Sequence, residues 1–203
     1  MPEFKVHELW PKPILDVEIP VKQQWLDFTY NSEYERVFID NADSSKDKYI
    51  LNKLPDLKQL ILEQVKIFTT YYLKVIDVKF YFLNSWIVKH YPKDWAHEHM
   101  HQNSLLSGVY YLDVPKDSGG IVFVKGYGEQ EIFPSAITPK VSEYNYVTSR
   151  EMTFKVNSGK LLLFPSNLMH RVEVNKSNKS RYSIAFNLFC GGNFGCDESQ
   201  LTL

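Results

Sequence analysis

Residues 97–112 read HEHMHQNSLLSGVYYL, where three histidines at alternate positions lead into an apolar segment typical of a β-strand. Because a strand projects alternate side chains to one face, His97, His99 and His101 would share one side. Same-face residues on a strand lie about 6.6 Å apart, so two neighbouring imidazoles hold one ion more easily than three. The pair is then His97 with His99, or His99 with His101. Neutral imidazole binds iron, copper, nickel and zinc, so the run predicts a transition-metal site without naming the metal.

A further ligand is expected far along the chain, at His170. Residues 159–170 read GKLLLFPSNLMH, which combines a glycine turn, a buried strand and a proline break before the histidine. Arg181 and Ser183 follow, and a hairpin turn near residues 177 and 178 would put them on the same sheet face as His170. A guanidinium in that cavity could bind a carboxylate through two hydrogen bonds. The alternative is that Arg181 faces solvent after a basic turn.

The remaining pattern predicts a mainly β fold. Seven later segments have strand composition and are separated by polar turns, namely 78–91, 104–114, 120–124, 153–156, 160–165, 170–174 and 181–189. Residues 55–76 have apolar side chains at three- and four-residue spacing, which predicts a helix covering one face of a sheet. Residues 10–19 predict an edge strand or extended segment, and 22–36 a short helix. With no βαβ alternation, a double-sheet jelly roll is favoured, with 127–150 as a long insert near the mouth of the barrel.

Length and composition are typical of a single globular domain, since 44% of the 203 residues are hydrophobic and 15% are aromatic. We expect one domain over residues 1–203, with a helical front section (1–77), a jelly-roll core (78–189) and a tail (190–203). The net charge of −1 creates no global field that would attract nucleic acid, so no nucleic-acid partner is predicted.

The sequence also predicts the compartment. The first ten residues have no apolar core before a small-residue cleavage site, and the chain has no transmembrane run. We therefore expect a cytoplasmic protein that does not associate with membranes. Cys190 and Cys196 lack metal-finger and redox-motif spacing, so they are interpreted as ordinary thiols in a reducing compartment, with a terminal disulfide as the alternative.

Four segments together resemble a known family: 10–14 (WPKPI), 99–112, 159–170 and 181–187 (RYSIAFN). They are similar to the small iron(II)- and 2-oxoglutarate-dependent oxygenases encoded in bacterial and phage genomes, within the prolyl-hydroxylase-like superfamily. The resemblance implies a double-stranded β-helix with N-terminal helices packed on one sheet. It also implies that an H-x-D/E pair and a distal histidine hold the iron.

Carried onto this chain, the resemblance implies that His99, His101 and His170 bind Fe(II), while Arg181, helped by Ser183, binds the far carboxylate of 2-oxoglutarate. The chain departs from the broader superfamily at His101, which stands where Asp or Glu is usual. A site of three histidines carries one less negative charge, which alters metal affinity and redox behaviour.

Further residues are expected around the site. Tyr110 is expected to line the cavity and to hydrogen-bond 2-oxoglutarate, with core packing as its alternative. His90 is interpreted as structural. Second-shell positions are predicted for His97, Asn84, Trp86 and Asn187.

The implied function is a dioxygenase that uses molecular oxygen and 2-oxoglutarate to hydroxylate an unknown substrate, with release of succinate and CO2. One alternative is a cupin-like metalloenzyme that uses three histidines without 2-oxoglutarate. Another is a non-catalytic binding module that is stabilised by its metal. Exposed edge strands make a homodimer possible.

Overall fold

The computed structural model describes residues 2–7, 9–38, 41–126 and 139–203, and most of its regular structure is β. Its strands are β1 (Leu15–Glu18), β2 (Tyr34–Val37), β3 (Ala42–Ser45), β4 (Val78–His90), β5 (Ala96–His99), β6 (Leu106–Asp113), β7 (Ile121–Val124), β8 (Glu151–Phe154), β9 (Lys160–Pro165), β10 (His170–Val172), β11 (Arg181–Phe194) and β12 (Leu201–Thr202). Its helices are α1 (Gln23–Tyr30) and α2 (Pro55–Lys66), and a π-helical segment (Ile67–Tyr72) continues α2.

The strands form two antiparallel sheets. The large sheet has the order β1-β9-β6-β11-β4-β3-β2, with β12 paired to the end of β11, and the small sheet has the order β5-β10-β7-β8. A cluster of buried side chains joins the facing sides of the two sheets; its members are Tyr111, Ile121, Phe123, Leu162, Phe164 and Leu168. This is the predicted jelly roll, so the fold prediction is confirmed.

The N-terminal helices cover the outer face of the large sheet, as predicted. Helix α2 begins with Pro55 at its first position, where no amide donor is required, and it buries Leu57, Ile61 and Val65. These side chains belong to the main hydrophobic core, together with Trp25 of α1. This helical layer leaves the inter-sheet side of the large sheet free to face the small sheet.

Side chains along β11 point alternately into the main hydrophobic core and toward the space between the sheets. Ile184, Phe186 and Leu188 belong to the core under the helices. The side chains of Arg181 and Asn187 instead make their contacts with residues on the inter-sheet side. Polar groups of the longest strand are therefore collected between the sheets.

The predicted hairpin between the last two long segments is wrong. Strand β10 pairs with β5 and β7, whereas β11 pairs with β4 and β6, so His170 and Arg181 lie on opposite sheets rather than on one face. The front section contains β1 to β3 as well as helices, and the tail contains the end of β11 and β12. Of the predicted insert, residues 127–138 lie outside the described part of the chain. Among the described residues, no helix is long and apolar enough to cross a membrane.

Candidate metal centre

Three histidines come together at one end of the small sheet. One potential ligand atom from each of His99, His101 and His170 lies within 4.8 Å of the other two. The described residues contain no other group of three or more His, Cys, Asp or Glu side chains that could hold a metal ion. The His99 and His170 rings are 4.4 Å apart, and each ring is 5.2 Å from that of His101. These three imidazoles could hold one transition-metal ion.

The strand register explains how distant residues meet. His99 at the end of β5 lies directly opposite His170 at the start of β10. His101 follows the end of β5, and its backbone N–H donates to the Ser166 carbonyl at 2.9 Å. The Ser166 N–H in turn donates to the Leu105 carbonyl at 3.0 Å. The segment between β5 and β6 is therefore tied to the end of β9, which holds His101 beside the other two histidines.

Two of the rings are oriented by backbone carbonyls. His99 Nδ1 is 2.7 Å from the His97 carbonyl, and His170 Nδ1 is 2.8 Å from the Leu168 carbonyl. A carbonyl can only accept, so Nδ1 carries the proton in each ring and Nε2 keeps its lone pair. The fold thus preselects the tautomer that leaves Nε2 available to a metal.

Burial keeps the rings of His170 and His101 neutral. Desolvation, followed by the nearby His99, lowers the pKa of His170 to about 3 and that of His101 to about 4. A cation entering this site near neutral pH does not have to displace protons from these two rings.

His97 was predicted to orient a metal ligand or the substrate, but its side chain does not join the three rings. Its side chain is exposed and its ring lies 4.2 Å from that of Trp95. Its contribution to the site is its backbone carbonyl, which accepts the hydrogen bond from His99. Of the two ligand pairs that the sequence left open, the structure brings together His99 and His101.

Nearby carboxylates are used elsewhere. Glu98 is exposed. Asp94 accepts two hydrogen bonds from Arg36, at 2.7 and 2.8 Å, and Asp113 accepts one from the Tyr30 hydroxyl at 2.7 Å. Within the described residues, the site therefore offers nitrogen donors and no carboxylate.

Arg181, at the start of β11, is almost completely buried, with 1% of its surface exposed. Its Nη1 donates to the carbonyls of Ser118 and Gly119, both at 3.0 Å, and its Nη2 donates to His90 Nδ1 at 3.0 Å. Its Nε has no hydrogen-bond partner in the part of the chain that the structure describes. The Tyr111 ring centroid lies 6.0 Å from the guanidinium carbon. The solvent-facing alternative for Arg181 is thus wrong.

The guanidinium lacks a carboxylate partner among the described residues. Desolvation lowers its pKa, and electrostatic interactions with Tyr111 and Glu173 only partly oppose this effect. Glu173 itself is exposed and accepts the Gly120 N–H at 2.9 Å. Burying an uncompensated charge is costly, and such groups are usually paired. The cluster also holds two more buried polar atoms without partners, Ser118 Oγ and His90 Nε2. Donors of this kind, beside an uncompensated guanidinium, could bind an anionic ligand.

The expectation that Tyr110 lines the cavity is wrong. Its hydroxyl donates to the Ile19 carbonyl at 2.9 Å, and its ring packs edge-on against Trp25 in the core under the helices. The next residue, Tyr111, faces the inter-sheet side and approaches Arg181. Side chains on a strand alternate, so a shift of one residue exchanges the two tyrosines. Tyr111 lies four positions after the polar residue Ser107, so regular alternation along the strand predicts that these two side chains share a face.

A hydrogen-bonded chain of small polar residues links β4, β11 and β6 to the residue that follows β9, close to the candidate metal centre. Asn187 donates to the Asn84 side-chain oxygen at 3.0 Å and accepts from the Ser107 hydroxyl at 2.7 Å. Ser107 and Ser166 share a hydrogen bond of 2.8 Å. The predicted second-shell residues Asn84 and Asn187 thus connect to the same Ser166 whose carbonyl anchors the segment with His101.

The two other predicted residues also lie on the inter-sheet side. The Trp86 ring is 6.3 Å from the His101 ring. Ser183 is buried and pairs in register with Tyr111. Ser183 stands two residues from Arg181 on β11, so both side chains leave the strand on the same face.

Comparisons with known proteins agree with this architecture. The chain is similar in fold to a 2OG-Fe(II) oxygenase family oxidoreductase from Burkholderia pseudomallei, with a TM-score of 0.57, 13% identity and coverage of 85% of this chain and 83% of that one. HygX from Streptomyces hygroscopicus, solved with nickel, 2-oxoglutarate and hygromycin B, gives a TM-score of 0.61 at 13% identity, with 87% and 82% covered. A prolyl-4-hydroxylase from Pseudomonas putida gives 0.53 at 12% identity, with 87% and 92% covered. No curated protein matches the sequence.

A family model provides the sequence-level match. The model described as "Putative 2OG-Fe(II) oxygenase" matches residues 84–187, just over half of the chain, and this range contains the three histidines and Arg181. The chain therefore belongs to the 2OG-Fe(II) oxygenase family, in which 2OG denotes 2-oxoglutarate.

Proposed function

We propose that His99, His101 and His170 bind Fe(II), that Arg181 binds the distal carboxylate of 2-oxoglutarate, and that the enzyme hydroxylates its substrate. The observation that carries this proposal is the buried Arg181 guanidinium, which has no carboxylate partner in the described residues and faces the sheet that supplies the metal-binding histidines. We infer that one end of the dicarboxylate binds the metal and the other end binds the guanidinium.

The chain's own residues prepare the site in two ways. The carbonyls of His97 and Leu168 fix the rings of His99 and His170 with Nε2 available. On the other sheet, the carbonyls of Ser118 and Gly119 hold Nη1 of Arg181, which leaves Nε–H free to donate. These hydrogen bonds hold the side chains in fixed orientations, which lowers the ordering entropy that ligand binding would cost.

Iron with 2-oxoglutarate, when bound, would let molecular oxygen hydroxylate a C–H bond: 2-oxoglutarate would supply two electrons as it is oxidised to succinate and CO2, and the C–H bond would supply the other two. The protein contributes ligands, orientation and a cavity that limits side reactions.

One observation favours a second candidate, a three-histidine metalloenzyme that does not use 2-oxoglutarate. His101 takes the place where the broader superfamily has a carboxylate, and the described residues provide no substitute. Such an enzyme would not need Arg181, so the arginine separates the two candidates. Family membership weighs against the non-catalytic module.

The experiment is an anaerobic titration of Fe(II)-loaded protein with 2-oxoglutarate, followed by the visible metal-to-ligand charge-transfer band. We expect a band in the wild type, and an affinity at least about 30-fold weaker in Arg181→Ala, because removing one partner of a buried charge pair costs about 2 kcal/mol or more. Arg171→Ala is the matched control, since Arg171 is paired with Glu151 at 2.6 Å on the small sheet. Equal affinity in Arg181→Ala and Arg171→Ala would favour the second candidate.

We also propose a reducing, cytoplasmic setting. Both cysteines are free thiols in the structure, which supports their interpretation as ordinary thiols over the alternative of a terminal disulfide. Cell fractionation can check the location. The homodimer and the lack of nucleic-acid binding stay predictions, and light scattering and a gel-shift assay can test them.

A further inference from the structure

We propose that His90 is a positioning residue for the anion pocket: it orients Arg181 as a neutral hydrogen-bond acceptor and so leaves the full guanidinium charge to the ligand. This inference rests on the proposed role of Arg181 in binding 2-oxoglutarate. It gives a function to a histidine that the sequence pattern presented as merely structural.

His90 lies in direct contact with the Arg181 guanidinium. It ends β4 directly opposite Arg181 in the β4–β11 register, and it is buried, with 3% of its surface exposed. Arg181 Nη2 donates to His90 Nδ1 at 3.0 Å. The His90 backbone carbonyl accepts from the Asn175 side chain at 3.1 Å, which fixes the end of the strand.

The hydrogen bond determines the protonation of the ring. A guanidinium has no acceptor, so Nδ1 must be the unprotonated nitrogen and Nε2 must carry the proton. Burial and the positive charges of Arg181 and Arg36 lower the pKa of His90, in agreement with a neutral ring. Among the described residues, the acceptors that contact Arg181 are therefore all neutral, since the other two are the carbonyls of Ser118 and Gly119.

The same chain contains the opposite arrangement for comparison. Arg36 is held by both oxygens of Asp94, at 2.7 and 2.8 Å, which neutralises its charge and makes the pair structural. A carboxylate at position 90 would do the same to Arg181. It would satisfy the buried cation and stabilise the empty protein, but it would compete with the carboxylate of a ligand.

The test compares the isosteric substitutions His90→Asn and His90→Asp, because the side-chain oxygen of either residue can reach the position of Nδ1 and only the charge differs. Binding of 2-oxoglutarate and of 2-oxobutyrate, which lacks the distal carboxylate, is measured anaerobically on the Fe(II)-loaded proteins. Melting temperatures are measured on the metal-free proteins. His7→Asp, at an exposed position, is the control for adding a negative charge.

We expect His90→Asn to bind 2-oxoglutarate within about threefold of the wild type, and His90→Asp to bind it at least about 30-fold more weakly, as for other broken buried charge contacts. Binding of 2-oxobutyrate should be nearly the same in both variants, because it does not reach Arg181. Metal-free His90→Asp should melt at a higher temperature than His90→Asn.

Other outcomes overturn the inference in separable ways. If both variants bind 2-oxoglutarate as tightly as the wild type, neutrality at position 90 is irrelevant. If both variants lose the same amount of affinity, the effect belongs to the shape of the imidazole and not to its charge. A wild type that does not distinguish the two oxo acids would instead defeat the proposed role of Arg181. If His90→Asp fails to fold, long-range ¹H–¹⁵N NMR of wild-type His90 still decides, because a proton on Nδ1 contradicts the proposal.

Discussion

Acid should destabilise the metal-free protein through His170. This ring is 4% exposed, and burial, with help from its histidine neighbours, lowers its pKa to about 3 in the folded chain, against 6.5 when it is unperturbed. Between these two values the unfolded chain binds a proton at His170 that the folded chain does not bind. The free energy of unfolding therefore decreases as the pH falls through this window, and the His170 contribution is complete only above about pH 6.5.

The size of the effect follows from the two pKa values. Below its unfolded pKa, a group of this kind loses about 1.4 kcal/mol of stability for each pH unit until the folded pKa is reached. Lowering the pH from 7 to 5 crosses about 1.5 pH units of this window. His170 alone should therefore reduce the free energy of unfolding by about 2 kcal/mol. His101 should add to the loss in the same direction, because its pKa is lowered to about 4.

The assay is urea denaturation of metal-free protein at pH 7, 6 and 5, for the wild type and for His170→Asn, which has no titrating ring at this position. The wild type should lose about 2 kcal/mol more than His170→Asn between pH 7 and pH 5. His7→Asn, at an exposed site, serves as the control and should follow the wild type. Parallel pH profiles for the wild type and His170→Asn would refute the reasoning, since they would mean that folding does not hold this ring neutral.

Three further substitutions test the assignment of side chains to the two faces of the large sheet. Tyr110→Phe removes the 2.9 Å hydrogen bond to Ile19 and should lower the free energy of unfolding by about 1 kcal/mol in urea denaturation, with the 2-oxoglutarate titration unchanged. Gly108→Ala places a Cβ against the Phe186 ring, and should destabilise the fold by about 1–3 kcal/mol in the same assay; no loss would show that the core can make room. Asn187→Ala breaks the polar chain close to the metal centre and should weaken Fe(II) binding about 10-fold in a metal-competition titration, with the melting temperature of the metal-free protein as the control.

Most of the fold could be predicted because its signals are local. Apolar spacing predicted the helix at 55–76, and the structure has α2 with its π-helical continuation over Pro55–Tyr72. Polar turns predicted the strand boundaries, since β4, β6, β9 and β11 all begin within two residues of the predicted starts. Such periodicity and turn chemistry depend only on nearby residues.

The pairing of strands could not be predicted in the same way. A turn of polar residues near 177 suggested a hairpin, yet the chain crosses there from the small sheet to the large one. The choice depends on which partners the strands find across the sandwich, and β10 finds β5 through the pairing of His170 with His99. Nonlocal pairing of this kind is not encoded in the turn itself.

The site shows the same division. His99, His101 and His170 could be found because metal ligands require a narrow set of residue types, and the histidines carry that signature in the sequence. Tyr110 was assigned to the wrong face because one residue of strand parity decides it. The hydrogen bond between His90 and Arg181 could not be predicted, because it joins residues that are 91 positions apart along the chain.

The missing carboxylate and the buried arginine have a joint consequence. A divalent ion held by three imidazoles keeps its full charge of +2, whereas an H-x-D/E site would reduce it by one. Arg181 contributes a further positive charge, and the described residues provide it with no carboxylate partner. A bound dicarboxylate would then be the main source of negative charge between the sheets. Each cation would strengthen the binding of the dicarboxylate, and by thermodynamic linkage the dicarboxylate would tighten metal binding by the same factor. In this arrangement, where His101 replaces a carboxylate ligand, part of the free energy of metal binding would come from the bound cosubstrate instead of from the protein.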